Sequence, residues 1–227
     1  MTVTGHSMIS FNSVSKYYER QPVLKALTLS VSKGEMVFVT GPTGAGKSTL
    51  LKLLYLDERP DEGEIVVDGL NLRSLKPSQV PNLRQRIGVV FQDFKLLNNL
   101  TIYDNVALAL RIRGVGEGEI SERVLWALKH VHLRHRADSR PRTLSGGEQQ
   151  RIVIARAIVA EPTVLLADEP TGNLDPETSL NILRLFRDIN IQGTTLVIAT
   201  HNRDLFRHSG KRVFKLEEGI LVGEEVA

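Results

Sequence analysis

Four stretches of almost unbroken apolar residues divide the chain, at residues 36–40, 87–91, 164–168 and 195–200. Short runs without alternation predict strands buried on both faces, the pattern of a parallel sheet. Other stretches alternate. Residues 9–14 and 24–31, joined by a polar turn, predict two strands of a half-exposed antiparallel sheet. Residues 64–67 with Asp68-Gly69 read as strand then turn, and residues 213–216 and 220–222 as a small terminal hairpin. Helical spacing occurs at Leu50, Leu51, Leu53 and Leu54, over residues 102–113 and 120–131, at Ile152, Ile154, Ala155 and Ile158, and at Ile182, Phe186 and Ile189. Residues 70–86 are polar and basic, and Pro77 and Pro81 break any long helix there. Gly114, Gly116 and Gly118 superficially match a dinucleotide fingerprint, but they lie between helical patterns and predict a flexible loop. Strands alternating with helices place the chain in the α/β class.

Composition narrows this only a little. The 227 residues are 41% hydrophobic and 24% charged, ordinary for a globular protein with a sizeable core. We expect one domain over residues 8–227, with residues 1–7 a short extension. Twenty-nine basic against 26 acidic residues leave +3, too small a balance to argue for nucleic acid. The absence of cysteine excludes a disulfide framework and a thiolate metal site. No apolar run approaches the roughly 20 residues of a membrane span. The N-terminus lacks the basic and apolar regions of a secretory signal. Any membrane contact is expected to come through a partner.

Chemistry concentrates at the ends of the apolar runs. Gly41-Pro42-Thr43-Gly44-Ala45-Gly46-Lys47-Ser48-Thr49 lies between a predicted strand and a predicted helix, the order in which G-x-x-x-x-G-K-[ST] forms a phosphate-binding loop. Glycines let successive backbone N–H groups and the new helix N-terminus converge on one anion. Lys47 would reach the β- and γ-phosphates, and the Ser48 hydroxyl would hold Mg²⁺. The chain therefore binds a nucleoside triphosphate.

Gln92 ends the strand at 87–91, where a parallel sheet gathers ligands; it would coordinate Mg²⁺ or remain a solvated loop amide. Asp168 and Glu169 end another strand. The first carboxylate suits a Mg²⁺ shell and the second an attacking water. His201 ends a third, in reach of a γ-phosphate or simply structural. Tyr17 and Tyr18 sit in the connection of the N-terminal hairpin, placed to stack on a purine or to pack locally. Leu144-Ser145-Gly146-Gly147-Glu148-Gln149-Gln150-Arg151 opens a helix whose serine cap and free N–H groups make a second anion-binding surface. Asp175-Pro176-Glu177 starts the helix that follows. Residues 129–142 form a basic patch with three histidines, read as a solvated face or one drawn to an anionic membrane, since no acidic or cysteine ligand adjoins them.

In this order the pieces resemble the nucleotide-binding domain of ATP-binding cassette (ABC) proteins over nearly the whole chain from about Met8. The run from Leu144 to Arg151 is similar to that family's signature, with Glu148 in its fifth place. The resemblance implies a P-loop NTPase fold with a mainly parallel core sheet, an N-terminal antiparallel β-subdomain and an α-helical signature subdomain at about residues 93–160. It implies ATP and Mg²⁺ as cofactors, and an ATPase. ATP would lie between two head-to-tail copies, residues 41–49 of one facing Ser145, Gly147 and Glu148 of the other. Tyr18 would stack on adenine. Ser48, Gln92 and Asp168 would hold the metal, while Lys47, Glu169 and His201 act on the γ-phosphate. Asn173-Leu174-Asp175 matches the segment after the catalytic pair. Asn202 stands where the family usually has aspartate, which removes a charge near the switch histidine.

Residues 80–88, 91–97 and 101–106 look most like family members that serve bacterial cell division. That likeness implies an integral membrane partner whose coupling helix enters a groove at residues 93–101. It also implies an indirect link to periplasmic peptidoglycan hydrolases and a place on the cytoplasmic face of the inner membrane. Lipoprotein-release and macrolide-export ATPases share part of the pattern and supply the alternative. Soluble relatives acting on nucleic acid are disfavoured, because they fuse two cassettes or carry long coiled-coil arms.

Overall fold

The strands at the centre of the molecule send successive side chains into two different cores. In β3 (Met36–Thr40), Met36 and Phe38 enter one core while Val37 and Val39 enter the other. β7 (Val164–Asp168) divides Leu165 and Ala167 from Val164 and Leu166, and β8 (Thr195–Ala199) divides Leu196 and Ile198 from Val197 and Ala199. This is why those stretches are apolar without alternation: the period of two is present, but both faces are covered. The computed structural model describes residues 7–227.

The central sheet has the order β10-β9-β3-β8-β7-β6, where β6 is Ile87–Val90, β9 Arg212–Glu217 and β10 Ile220–Val226. All its pairs are parallel except β9 with β10. A second, antiparallel sheet has the order β2-β1-β4-β5, formed by β1 (Ser7–Tyr18), β2 (Gln21–Ser32), β4 (Glu62–Val67) and β5 (Leu70–Asn71). Helix α1 (Lys47–Leu54) shares one core with that sheet through Leu50, Leu51, Leu53 and Leu54. Helix α2 (Val80–Gln85) contributes Leu83 to the same core. The opposite core is built from α3 (Ile102–Arg111), α4 (Glu117–His130), α5 (Gly146–Ile158) and α6 (Pro176–Ile191).

Several boundaries differ from those the pattern predicts. The N-terminal hairpin is longer on both sides, and Tyr17 and Tyr18 pair with Pro22 and Gln21 instead of lying in a connection. The turn is Glu19-Arg20, both residues left-handed at φ 48° and 68°. That is the geometry of a tight two-residue hairpin, which usually advertises itself by Asn-Gly or Asp-Gly. Ser7, assigned to the extension, is the first residue of β1; the rest of that extension, residues 1–6, lies outside the described residues. Helix α4 begins at Glu117 and absorbs Gly118, because Gly116 takes the extended capping position and Glu117 and Glu119 suit the positive end of the helix. The terminal hairpin is part of the central sheet, β9 running parallel to β3 with Val213 opposite Phe38.

Candidate functional site

Residues 41–46 leave the buried end of β3 and turn into α1 with Gly46 as the cap. Gly46 sits at φ +100°, and a Cβ there would come within 2.9 Å of the Val23 carbonyl. Glycine is therefore required on both conformational and steric grounds. The Lys47 ammonium is folded back onto the loop, donating to the Gly41 carbonyl at 2.8 Å and the Pro42 carbonyl at 3.1 Å. It also lies 3.8 Å from Oε1 of Glu169.

Glu169 follows β7 and adopts a left-handed conformation (φ 44°), unusual for a side chain with a Cβ. Two backbone bonds hold it there, Glu169 N–H to the Ala199 carbonyl at 2.9 Å and Gly172 N–H to the Glu169 carbonyl at 3.1 Å. Its carboxylate accepts the His201 backbone N–H at 3.0 Å and stands 2.8 Å from His201 Nδ1. A carboxylate only accepts, so Nδ1 carries the proton and Nε2 remains free. The histidine side chain is 63% exposed and the glutamate 11%, so a buried carboxylate is tethered to an exposed ring.

Asp168, at the end of β7, has a buried Oδ1 with no hydrogen-bond partner among the described residues. Burial pushes its carboxyl above the ordinary aspartate range. The Ser48 hydroxyl opposes that rise, the Glu169 charge adds to it, and Lys47 and Lys52 draw it back. An orphaned carboxylate oxygen beside a hydroxyl, against a phosphate loop, fits a divalent cation. No cluster of three or more His, Cys, Asp or Glu able to hold a metal occurs among the described residues. The remaining ligands would thus be oxygens of other kinds.

A cleft of about 450 Å³ brings together Tyr18, Thr43, Gly44, Gly46, Lys47, Ser48, Thr49, Gln92, Glu169 and His201. Val23 also lines it; it sits at the head of β2, and no motif marks it. Gly41 and Pro42 fall instead on a neighbouring cleft that shares His201, and Ala45 is buried under the loop. Asp168 opens with Ser48 and Gln92 into an adjoining cleft of about 430 Å³, lined further by Tyr55, Phe91, Asp93 and Lys95. The Lys95 ammonium lies 4.1 Å from the Phe91 ring centroid, and Tyr55 meets Phe91 edge to face. The exposed Tyr18 ring faces Lys16 at 5.4 Å.

Ser145, Gly147 and Glu148 are not part of either cleft. They form the start of α5, where Glu148 accepts the Ser145 N–H at 2.9 Å and Ser145 Oγ accepts the Glu148 N–H at 3.3 Å. This reciprocal cap satisfies two N–H groups at the start of the helix. The Ser145 backbone bond holds the Glu148 carboxyl below its ordinary range, helped by the Ser145 hydroxyl, Arg136 and His135. A Cβ on Gly147 would come 2.5 Å from Cγ2 of Thr178, so a side chain there would force Thr178 to move. Asn202 caps the turn that follows His201, its Oδ1 accepting the Asp204 N–H at 3.0 Å. An amide oxygen serves that bond as a carboxylate would.

The loop before α3 is firmly tied. Asn105, wholly buried, accepts from Leu97 N–H and donates to the Leu97 and Thr101 carbonyls. Arg156, from the signature helix α5, donates to the carbonyls of Lys95 (2.9 Å) and Phe94 (3.1 Å).

The glycine loop between β3 and α1 and the acidic end of β7 define a class, and residues 24–172 match the ABC transporter family. The chain belongs to that family and is an ATPase of the ABC type. More particularly, it is 47% identical to the cell division ATP-binding protein FtsE of Bacillus subtilis, covering 96% of each chain. It is 49% identical to FtsE of Escherichia coli K12, covering 95% of this chain and 98% of that one. Among solved structures, a dimeric bacterial ABC transporter cassette, MJ0796, superposes with a TM-score of 0.88 at 36% identity, over 96% of this chain and 98% of that one. The post-hydrolysis state of the same cassette, bound to ADP and Pi, gives 0.88 at 35% identity, again over 96% and 98%.

Proposed function

We propose that this chain is the ATP-hydrolysing subunit of a bacterial cell-division complex, working with an FtsX-like integral membrane protein. Through that partner it regulates periplasmic peptidoglycan hydrolases at the septum, from the cytoplasmic face of the inner membrane. The observation that carries this reading is near-half identity to FtsE proteins along almost the whole chain. No described helix is long and apolar enough to cross a membrane, so attachment through a partner fits. Nucleic acid has no part in it.

In this reading the amides of residues 41–49 and the Lys47 ammonium cradle the phosphates, and Tyr18 stacks on the base. Ser48, Gln92 and Asp168 would hold Mg²⁺, which would supply positive charge to offset that of the phosphates. Lys47 leaves the Gly41 and Pro42 carbonyls for the γ-phosphate and moves away from the Glu169 carboxylate. Glu169 then takes a proton from water as the water oxygen attacks the γ-phosphorus and the bond to the bridging oxygen breaks. His201, held by Glu169, directs its outer face to the γ-phosphate.

Ser145 and Gly147, outside the cleft of their own chain, complete the site of a second copy, as in a head-to-tail homodimer. Glu148 sets the helix that presents them. Closure on ATP moves α5, and Arg156 carries that motion to Phe94 and Lys95. Those residues border the groove from Gln92 to Thr101 that receives the partner's coupling helix.

The test is purification of the tagged chain from membranes and identification of what accompanies it. A four-span FtsX-like protein is the expected result. A lipoprotein-release or macrolide-export permease would replace this reading with an exporter ATPase.

A further inference from the structure

Residues 129–142 carry Lys129, Arg134, Arg136, Arg140 and Arg142 together with three histidines, against Asp138 as the only acid. The fold sorts these side chains. Val131 and Leu133 are buried and pin the backbone, while Lys129, His132, Arg134, His135, Arg140 and Arg142 are exposed. Arg136 is committed to the signature helix, 3.8 Å from Glu148. Lys129, Arg134, Arg140 and Arg142 make no ion pair with any described residue. Lys129, His132, Arg134 and His135 border one open depression. Trp126, the single tryptophan, lies one turn before Lys129 on α4, stacks on His130 with ring centroids 4.0 Å apart and stays part-exposed; it lines a different cleft, with Lys33 and Glu161.

A second observation gives this surface a direction. The Ile102 N–H donates to the Ser139 carbonyl and the Tyr103 N–H to the Ala137 carbonyl, both at 2.9 Å. The basic loop is thereby stapled to the first turn of α3, directly after residues 93–101. Ala137 and Ser139 thus sit against the residues that follow the segment proposed above to receive the membrane partner. An exposed cationic surface without internal ion pairs, tied to the segment that leads from the proposed partner groove, matches anionic headgroups in charge and position.

We infer that the surface formed by Lys129, His132, Arg134, His135, Arg140 and Arg142 binds anionic lipid headgroups directly, so that the chain touches the bilayer as well as its protein partner. The inference rests on the groove reading for its orientation. Lipid contact would orient each copy and raise its local concentration beside the partner.

The test is co-sedimentation of the full chain with vesicles of phosphatidylglycerol and phosphatidylethanolamine, and with vesicles of phosphatidylcholine. Binding is expected only with the anionic lipid and should fall steeply with salt. Each cation near such a surface is worth roughly fivefold in partitioning, so the triple variant Lys129→Glu, Arg134→Glu, Arg140→Glu, which also adds three negative charges, should lose more than about a hundredfold. Its ATPase rate and melting temperature should stay at wild-type values. If the triple variant does not fold, Arg134→Gln and the salt response of the wild type decide the question.

Equal binding to phosphatidylcholine, or undiminished binding by a folded variant, would overturn the inference. So would tighter binding to duplex DNA, which would assign the patch to nucleic acid. The vesicles contain no protein, so failure here leaves the groove reading intact. Conversely, failure to recover an FtsX-like protein leaves this measurement standing.

Discussion

The carboxylate of Glu169 holds His201 twice, through the backbone N–H at 3.0 Å and through ring Nδ1 at 2.8 Å. The same Oε1 lies 3.8 Å from Lys47. One oxygen thus meets the phosphate-loop lysine and the switch histidine together. The carboxylate thereby links the start of α1 to the segment that follows β8, two parts of the chain far apart in sequence.

Glu169→Gln keeps the shape and the acceptor oxygen but removes proton-accepting capacity. Turnover should fall on the order of 10²- to 10⁴-fold, the usual contribution of a positioned general base. Nucleotide affinity should be retained or improved. Phosphate release and calorimetric titration of ATP measure the two quantities separately, and wild-type turnover in the variant would remove Glu169 from the reaction.

Asp168→Asn tests the cation site through stability as well as rate. Burial raises the folded carboxyl above its unfolded value, so the ionised form is penalised in the nucleotide-free fold. That penalty is complete above the raised pKa and disappears as pH falls through it toward the unfolded value of 3.8. The variant without nucleotide should therefore melt higher than wild type at neutral pH, with the gap closing on acidification. Its Mg²⁺-dependent ATPase should be lost, and Mg²⁺ with ATP should stabilise the wild type far more than the variant.

Arg156→Ala addresses the link between the signature helix and the groove. The guanidinium is largely buried and its two acceptors are the Phe94 and Lys95 carbonyls, so removal leaves them without that donor. The melting temperature should fall by a few degrees, as expected for about 1–3 kcal/mol of lost hydrogen bonding. ATP affinity of the isolated chain should change little, while stimulation of ATPase by the membrane partner should be lost. A variant still fully stimulated would show that the motion takes another route.

What the sequence announced and what it concealed divide along a physical line. The phosphate loop and the caps at Ser145 and Asp175 are local motifs, and Asp168 and His201 follow apolar runs; both kinds of signal are readable in a window of about ten residues. The Lys47–Glu169 contact joins residues far apart in the chain, and no local pattern records it. The Glu19-Arg20 turn hides because neither residue is the glycine or asparagine that left-handed geometry favours. The last hairpin looked peripheral because six residues cannot reveal that β9 pairs with β3, which follows from topology alone. The role of Glu148 in the cap was legible too, since its spacing of three from Ser145 is a capping signal.

The cap at the start of α5 makes a prediction that separates stability from assembly. Ser145→Ala should cost about 1 kcal/mol, the usual worth of a helix cap, and lower the melting temperature by roughly 2–4 °C. Glu148→Ala should do the same at neutral pH. The Glu148 carboxyl is held below its unfolded pKa, so its contribution is present above that value and lost as pH falls through the folded one. The gap between wild type and Glu148→Ala should therefore close under acid conditions. Because Ser145 is absent from the cleft of Lys47, the decisive measurement mixes two inactive chains, Lys47→Ala and Ser145→Ala. In a head-to-tail pair one site would carry both lesions and the other none. With random pairing and independent sites the mixture should recover about a quarter of the wild-type rate. No recovery from chains shown to exchange would mean that each copy completes its own site.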